Sequence, residues 1–91
     1  MAPVAFDLAR AWALGPQVAL RPEPFGALAY DFGTRRLSFL KTLALLEVVR
    51  GLADHASARD ACLAAGVGDD DLPRYAQALA ALARTGMIRP R

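Results

Sequence analysis

The spacing of apolar positions changes part-way along the chain. Before residue 41 they come in short runs broken by glycine and proline; beyond it they recur every three or four residues. Ala11–Leu14 and Val18–Arg21 flank Gly15-Pro16, a turn signal, and either stretch can supply a first strand. Arg21-Pro22-Glu23-Pro24 is excluded from a central strand because proline has no N–H to give to a ladder. Gly26–Phe32 alternates weakly, with Leu28, Tyr30 and Phe32 on one face. Gly33-Thr34 reads as a hairpin turn that Asp31 helps to start. Arg35–Leu40 sets Arg36, Ser38 and Leu40 against Arg35, Leu37 and Phe39. The expected product is a small antiparallel meander whose last strand lies near residues 35–40.

Three helix signals follow. Thr42–Leu52 carries Leu45, Leu46, Val49 and Leu52 at helical spacing. Ser57 with Asp60 three residues on resembles a capping box, opening a helix to about Ala65 with Gly66 as its stop. Asp69-Asp70-Asp71 precedes a third helix: an aspartate cap and Pro73 in the first turn both suit a helix start. Leu72, Tyr75, Leu79, Leu82 and Gly86 follow one stripe, and Met87-Ile88 can return as a short strand. Strands in front of helices imply an α+β fold, winged-helix-like, with a three-stranded antiparallel sheet followed by three helices.

Composition narrows this picture. The chain has 91 residues, 55% hydrophobic and 22% charged, with a formal net charge of +2. That suits a single small domain over residues 1–91, with residues 1–11 as an arm to which the pattern assigns no structure. The net charge is too small to demand nucleic acid or an anionic membrane. No apolar run is long enough to span a bilayer, and Asp7 and Arg10 break the apolar N-terminus, so neither a membrane span nor a signal peptide is expected. A soluble cytoplasmic protein is the default expectation.

Catalytic chemistry finds little support. His55, the single histidine, falls between two expected helices and reads as a loop residue. Cys62, the single cysteine, lies in an alanine-rich helix and reads as a small buried hydrophobe. One cysteine and one histidine exclude a disulfide framework and make no Cys/His zinc site. The three adjacent aspartates do not share a helix face and suit the helix dipole better than acid–base work. Gly66-Val67-Gly68 is followed by no Lys-Ser/Thr, so there is no phosphate loop. No enzyme, cofactor or metal is expected.

Two binding readings remain. The second and third helices can form a helix-turn-helix, but three aspartates at the start of the reading helix repel phosphate. The alternative is capture of an extended peptide at the free edge of the last strand. Arg35, Arg36 and Lys41 put positive charge around that edge, and Leu37, Phe39 and Leu40 offer apolar contact. Ala78 and Ala81 allow another backbone to lie close to the third helix. The same residues also suit a plain core strand with a solvated hairpin, and the two readings are compatible.

Two blocks carry a resemblance. Arg21-Pro22-Glu23-Pro24-Phe25-Gly26-Ala27-Leu28, then Tyr30 and Phe32-Gly33-Thr34-Arg35-Arg36-Leu37-Ser38-Phe39-Leu40-Lys41, resemble the MftB chaperones of mycofactocin biosynthesis. That family is related to PqqD and to the precursor-recognition elements of ribosomally made, modified peptides. The match is densest over residues 18–52 and extends loosely to Ile88. It implies a non-catalytic peptide chaperone that binds the leader of a precursor peptide and presents it to a radical SAM maturase. Iron–sulfur clusters and S-adenosylmethionine then belong to that partner. The leader is expected to dock as an added strand on the third strand, beside the third helix. The implied peptide-binding residues are Arg35, Arg36, Leu37, Ser38, Phe39, Leu40, Lys41, Tyr75, Ala78, Leu79 and Leu82. The partners implied are the leader peptide and the maturase, with no nucleic acid or membrane. A winged-helix DNA-binding regulator, or a structural subunit of the maturase complex that does not bind free leader, are the alternatives.

Overall fold

The structure is a computed structural model that describes residues 5–91. Its elements are β1 (Trp12–Leu14), β2 (Val18–Glu23), β3 (Gly26–Asp31), β4 (Leu37–Leu40), α1 (Leu43–Gly51), α2 (Ala58–Ala64), α3 (Leu72–Arg84) and β5 (Ile88–Pro90). A single 3₁₀ turn, Leu52–Asp54, links α1 to the loop before α2. The fold is α+β: strands β2-β3-β4 form an antiparallel meander, followed by three helices. Both candidate first strands are strands. Val18–Glu23 opens the meander, whereas Trp12–Leu14 pairs with β5 in a separate two-stranded sheet. The short return strand begins at Ile88 rather than Met87 and runs to Pro90.

Local chemistry explains the hairpins. The Asp31 carboxylate accepts from the N–H groups of Gly33 and Thr34, at 2.8 and 3.1 Å, and organises the turn into β4. Arg35 takes the left-handed conformation there, with φ 62°. The strand expected from residue 35 therefore starts at Leu37, and Arg35 and Arg36 belong to the turn. Phe32 likewise leaves the strand: β3 ends at Asp31.

The inner face of β3 presents Ala27 and Ala29, both buried, while Leu28 and Tyr30 point to the other side. Small residues let α1 lie close to the sheet. Gly26 is needed where β3 meets the β4–α1 connection: a Cβ there would collide with the Leu40 carbonyl oxygen and the Thr42 backbone. The core then gathers Trp12, Leu40, Leu46, Val48, Val49, Leu52, Cys62, Leu79, Met87 and Ile88.

The helix starts use their caps unequally. Thr42 caps α1, accepting from the Leu45 N–H at 3.0 Å, and Ser57 caps α2, accepting from the Asp60 N–H at 3.1 Å. Asp71 stands before α3 but makes no side-chain cap; its carboxylate accepts from Arg74 at 2.9 Å instead. Gly66 and Gly86 follow α2 and α3 with φ of 87° and 78°, the left-handed stops that glycine favours.

The described part of the N-terminal arm is ordered by α2. The carbonyls of Leu8 and Arg10 accept from the N–H groups of Arg59 and Ala58, both at 2.9 Å. These are two of the helix-start donors that have no partner within the helix. Phe6 lies 4.9 Å from Trp12, ring to ring, and closes that side of the core.

Candidate peptide-binding edge and groove

Strand β4 is an edge. Its one neighbour is β3, paired as Ala27–Leu40, Leu28–Phe39, Ala29–Ser38 and Tyr30–Leu37. The Asp31 N–H donates to the Arg36 carbonyl at 2.9 Å, which makes Asp31–Arg36 a hydrogen-bonded pair. Such pairs alternate along an antiparallel ladder, so Ser38 and Leu40 bond inward to β3. Leu37 and Phe39 then turn their N–H and C=O groups outward, away from the sheet.

A groove of about 580 Å³ lies beside this edge, between β4 and α3. Its β side consists of Ser38, Phe39, Leu40, Lys41 and Thr42, with Leu45 from α1 beneath. The opposite wall is one stripe of α3 and its C-terminal cap: Arg74, Tyr75, Ala78, Ala81 and Leu82, then Thr85. The spacing Arg74, Ala78, Ala81, Thr85 follows one helix face, and its two alanines keep the wall thin. The hydroxyls of Tyr75 and Thr42 lie 3.1 Å apart and join the two walls. Because Thr42 also caps α1, that link ties the groove to the start of the helix.

The sequence-derived candidates divide among three places. Ser38, Phe39, Leu40, Lys41, Tyr75, Ala78 and Leu82 line the groove. Leu37 is on the edge strand, exposed on the outer face of the sheet, and Arg35 and Arg36 sit in the turn before it. Leu79 is fully buried in the core and lines no part of the groove. Sequence reasoning passed over Thr42, Leu45, Arg74 and Thr85. Arg74 and Thr85 were detectable as members of the Ala78–Ala81 stripe; Thr42 and Leu45 become neighbours of the groove only through the β4–α1 connection.

Positive charge reaches the groove through Lys41 and Arg74, the latter paired with exposed Asp71. Cys62 is buried, and burial pushes its thiol up from the usual range, so it is a packing residue rather than a nucleophile. Among the described residues no group of His, Cys, Asp or Glu is placed to hold a metal ion. No described helix is long and apolar enough to cross a membrane.

A strand with one open edge beside an apolar groove can accept an extended chain. The family described as "Peptide chaperone MftB family" matches residues 11–89. The chain belongs to that family. Its relatives include the peptide chaperone MftB of Mycobacterium ulcerans, 58% identical over 86 residues, covering 94% of this chain and 79% of the relative. The Mycobacterium tuberculosis protein is 57% identical with the same coverage. That of Mycolicibacterium smegmatis is 54% identical over 87 residues, covering 96% of this chain and 85% of the relative. No solved structure gives a significant match. Peptide chaperone, the name these MftB proteins share, describes a non-catalytic role.

Proposed function

We propose that the protein is a single-domain, PqqD-like chaperone that captures the leader of a precursor peptide as an additional strand on β4. It then presents the peptide to a radical SAM maturase. One observation carries the reading: the outward N–H and C=O groups of Leu37 and Phe39 lie along the free edge of β4, which borders the β4–α3 groove from Ser38 onward. An incoming strand satisfies those groups at about 1 kcal/mol net per hydrogen bond, with little dependence on sequence. Specificity comes from side chains that enter the groove between Ser38, Leu40, Tyr75, Ala78, Ala81 and Leu82. Leu79 contributes by holding α3 in place from within the core. Lys41 and Arg74 at the groove, with Arg35 and Arg36 at the start of β4, attract leader carboxylates and raise the association rate more than the affinity. The chemistry of maturation stays with the partner.

A backbone amide NMR titration of the full chain with the synthetic precursor peptide tests this. Shifts concentrated in residues 37–41 and 74–85 are expected. No shifts at about 1 mM peptide, where even a millimolar complex is half formed, would overturn leader capture and favour a purely structural subunit.

A further inference from the structure

The side of the sheet that faces away from the helices is apolar, and no described residue covers it. Leu28 and Tyr30 of β3 lie there opposite Phe39 and Leu37 of β4. Phe25, in the β2–β3 turn, comes within 6.3 Å of Phe39 ring to ring, and Phe32 meets Tyr30 edge-on at 5.0 Å. Four of the six exposed large hydrophobic residues among those described belong to this face: Phe25 at 46%, Leu37 at 54%, Phe39 at 59% and Phe32 at 63%. Single exposed apolar residues are ordinary, but a contiguous cluster marks an interaction surface.

Charge says what kind of surface fits it. Arg21 shares the face, opposite Leu28, with its side chain 78% exposed. Arg35 and Arg36 border it at the β3–β4 turn and Lys41 at the far end of β4. Among the described residues Glu23 is the lone acid on this side, and it pairs with Arg21 at 2.9 Å. Arg35, Arg36 and Lys41 form no ion pair among the described residues. A second copy of the chain is a poor match. A two-fold contact would set this basic rim against itself, and like charges across an interface oppose binding. The complement is a different protein with an apolar patch bordered by carboxylates.

We infer that this outer face docks the enzyme that acts on the bound peptide. The inference rests on the peptide-capture reading above and adds the surface to it. Leu37 and Phe39 join the two sites: their backbones meet the peptide at the edge, while their side chains belong to the outer face. An enzyme seated there lies directly beside the captured strand. A peptide laid on β4 also widens the face by one strand, since alternate side chains of the added strand point the same way.

The test uses the full chain, the purified radical SAM maturase and the precursor peptide. Phe25→Asp with Phe32→Asp places two charges on the face without touching a groove residue; Arg21→Glu reverses its rim. Circular dichroism confirms that each variant is folded. The expected result is at least a tenfold loss of maturase affinity for the double variant. Arg21→Glu should show a smaller loss and a shallower salt dependence. Peptide affinity should stay within twofold of wild type for both. Unchanged maturase affinity in folded variants overturns the inference. So does a wild-type dimer in sedimentation that the double variant abolishes, which would make the face a self-contact. Loss of peptide binding in the wild type is a separate outcome: it sinks the capture reading itself.

Discussion

The two borders of the three-stranded sheet, β2 and β4, have opposite fates. The Phe32 N–H donates to the Gln17 carbonyl at 2.8 Å. Alternation along the ladder then turns Val18, Leu20 and Pro22 outward on the β2 edge. Pro22 therefore removes a donor where it costs the sheet nothing and denies it to any incoming strand. On β4 the outward residues are Leu37 and Phe39, which keep their N–H groups, and the edge opens onto the groove beside α3. One border is blunted at Pro22 and the other is left open beside a shaped wall. An exposed edge is a hazard in most proteins; here the β2 edge carries a proline and the opposite β4 edge does not, the asymmetry that the proposed strand addition would use.

The sharpest way to break the comparison is a pair of prolines on β4. Ser38→Pro removes a ladder bond to β3 and should destabilise the fold by about 3 kcal/mol or more, read by urea unfolding. Phe39→Pro removes an outward donor. It should leave a folded protein whose peptide affinity in calorimetry falls at least about 30-fold, the cost of an edge bond lost with its partner left unpaired. If Phe39→Pro binds peptide like wild type, the open edge is not the docking site.

The groove wall comes next. Ala81 is exposed on α3, so Ala81→Leu should fold normally yet fill the space an added strand needs. A peptide-affinity loss of about tenfold is expected, since a steric clash of this size costs roughly 1–3 kcal/mol. Unaltered affinity would move the peptide away from α3. Charge has a smaller effect: raising salt from about 0.05 to 0.5 M should slow association some three- to tenfold and change dissociation little. A flat response in stopped flow would take Arg35, Arg36 and Lys41 out of the encounter. The smallest effect belongs to the blunted border. Pro22→Val restores the outward donor on β2 and should leave peptide affinity within about twofold, because no groove accompanies that edge. Any change should be in self-association, seen by sedimentation. A second peptide equivalent bound by Pro22→Val would mean that the groove contributes little.

Local signals were legible wherever a backbone requirement has a residue signature. The Asp31–Gly33 turn, the Ser57 cap, the Gly66 stop and the leucine stripe of α1 rest on contacts within a few residues. So does the exclusion of the Arg21–Pro24 segment from a central strand. Other features misled or stayed silent because they depend on distant partners. Arg35 was read as strand, since a left-handed arginine has no sequence signature. The β1–β5 pair joins three-residue strands from opposite ends of the chain, too short for a periodic pattern. Asp71 read as a cap, but its carboxylate had a competing partner in Arg74 one turn away.

The candidate site divides the same way. Alternation along residues 37–40 and the small-residue stripe of α3 are written in the sequence. So are the two blocks that resemble the chaperone family, because they depend on residue type and spacing alone. Which backbone groups face outward was settled by the β3–β4 register, one hydrogen bond that a single-residue slip would invert. That Leu79 is core, while Ala78 and Ala81 form a wall, was decided by how α3 rotates against the core, where it meets α2 and β5. That Phe25, Phe32, Leu37 and Phe39 share one uncovered face was decided by the pairing of three strands. Sequence specifies periods and local conformations; which side of each element meets water depends on what the rest of the chain packs against it.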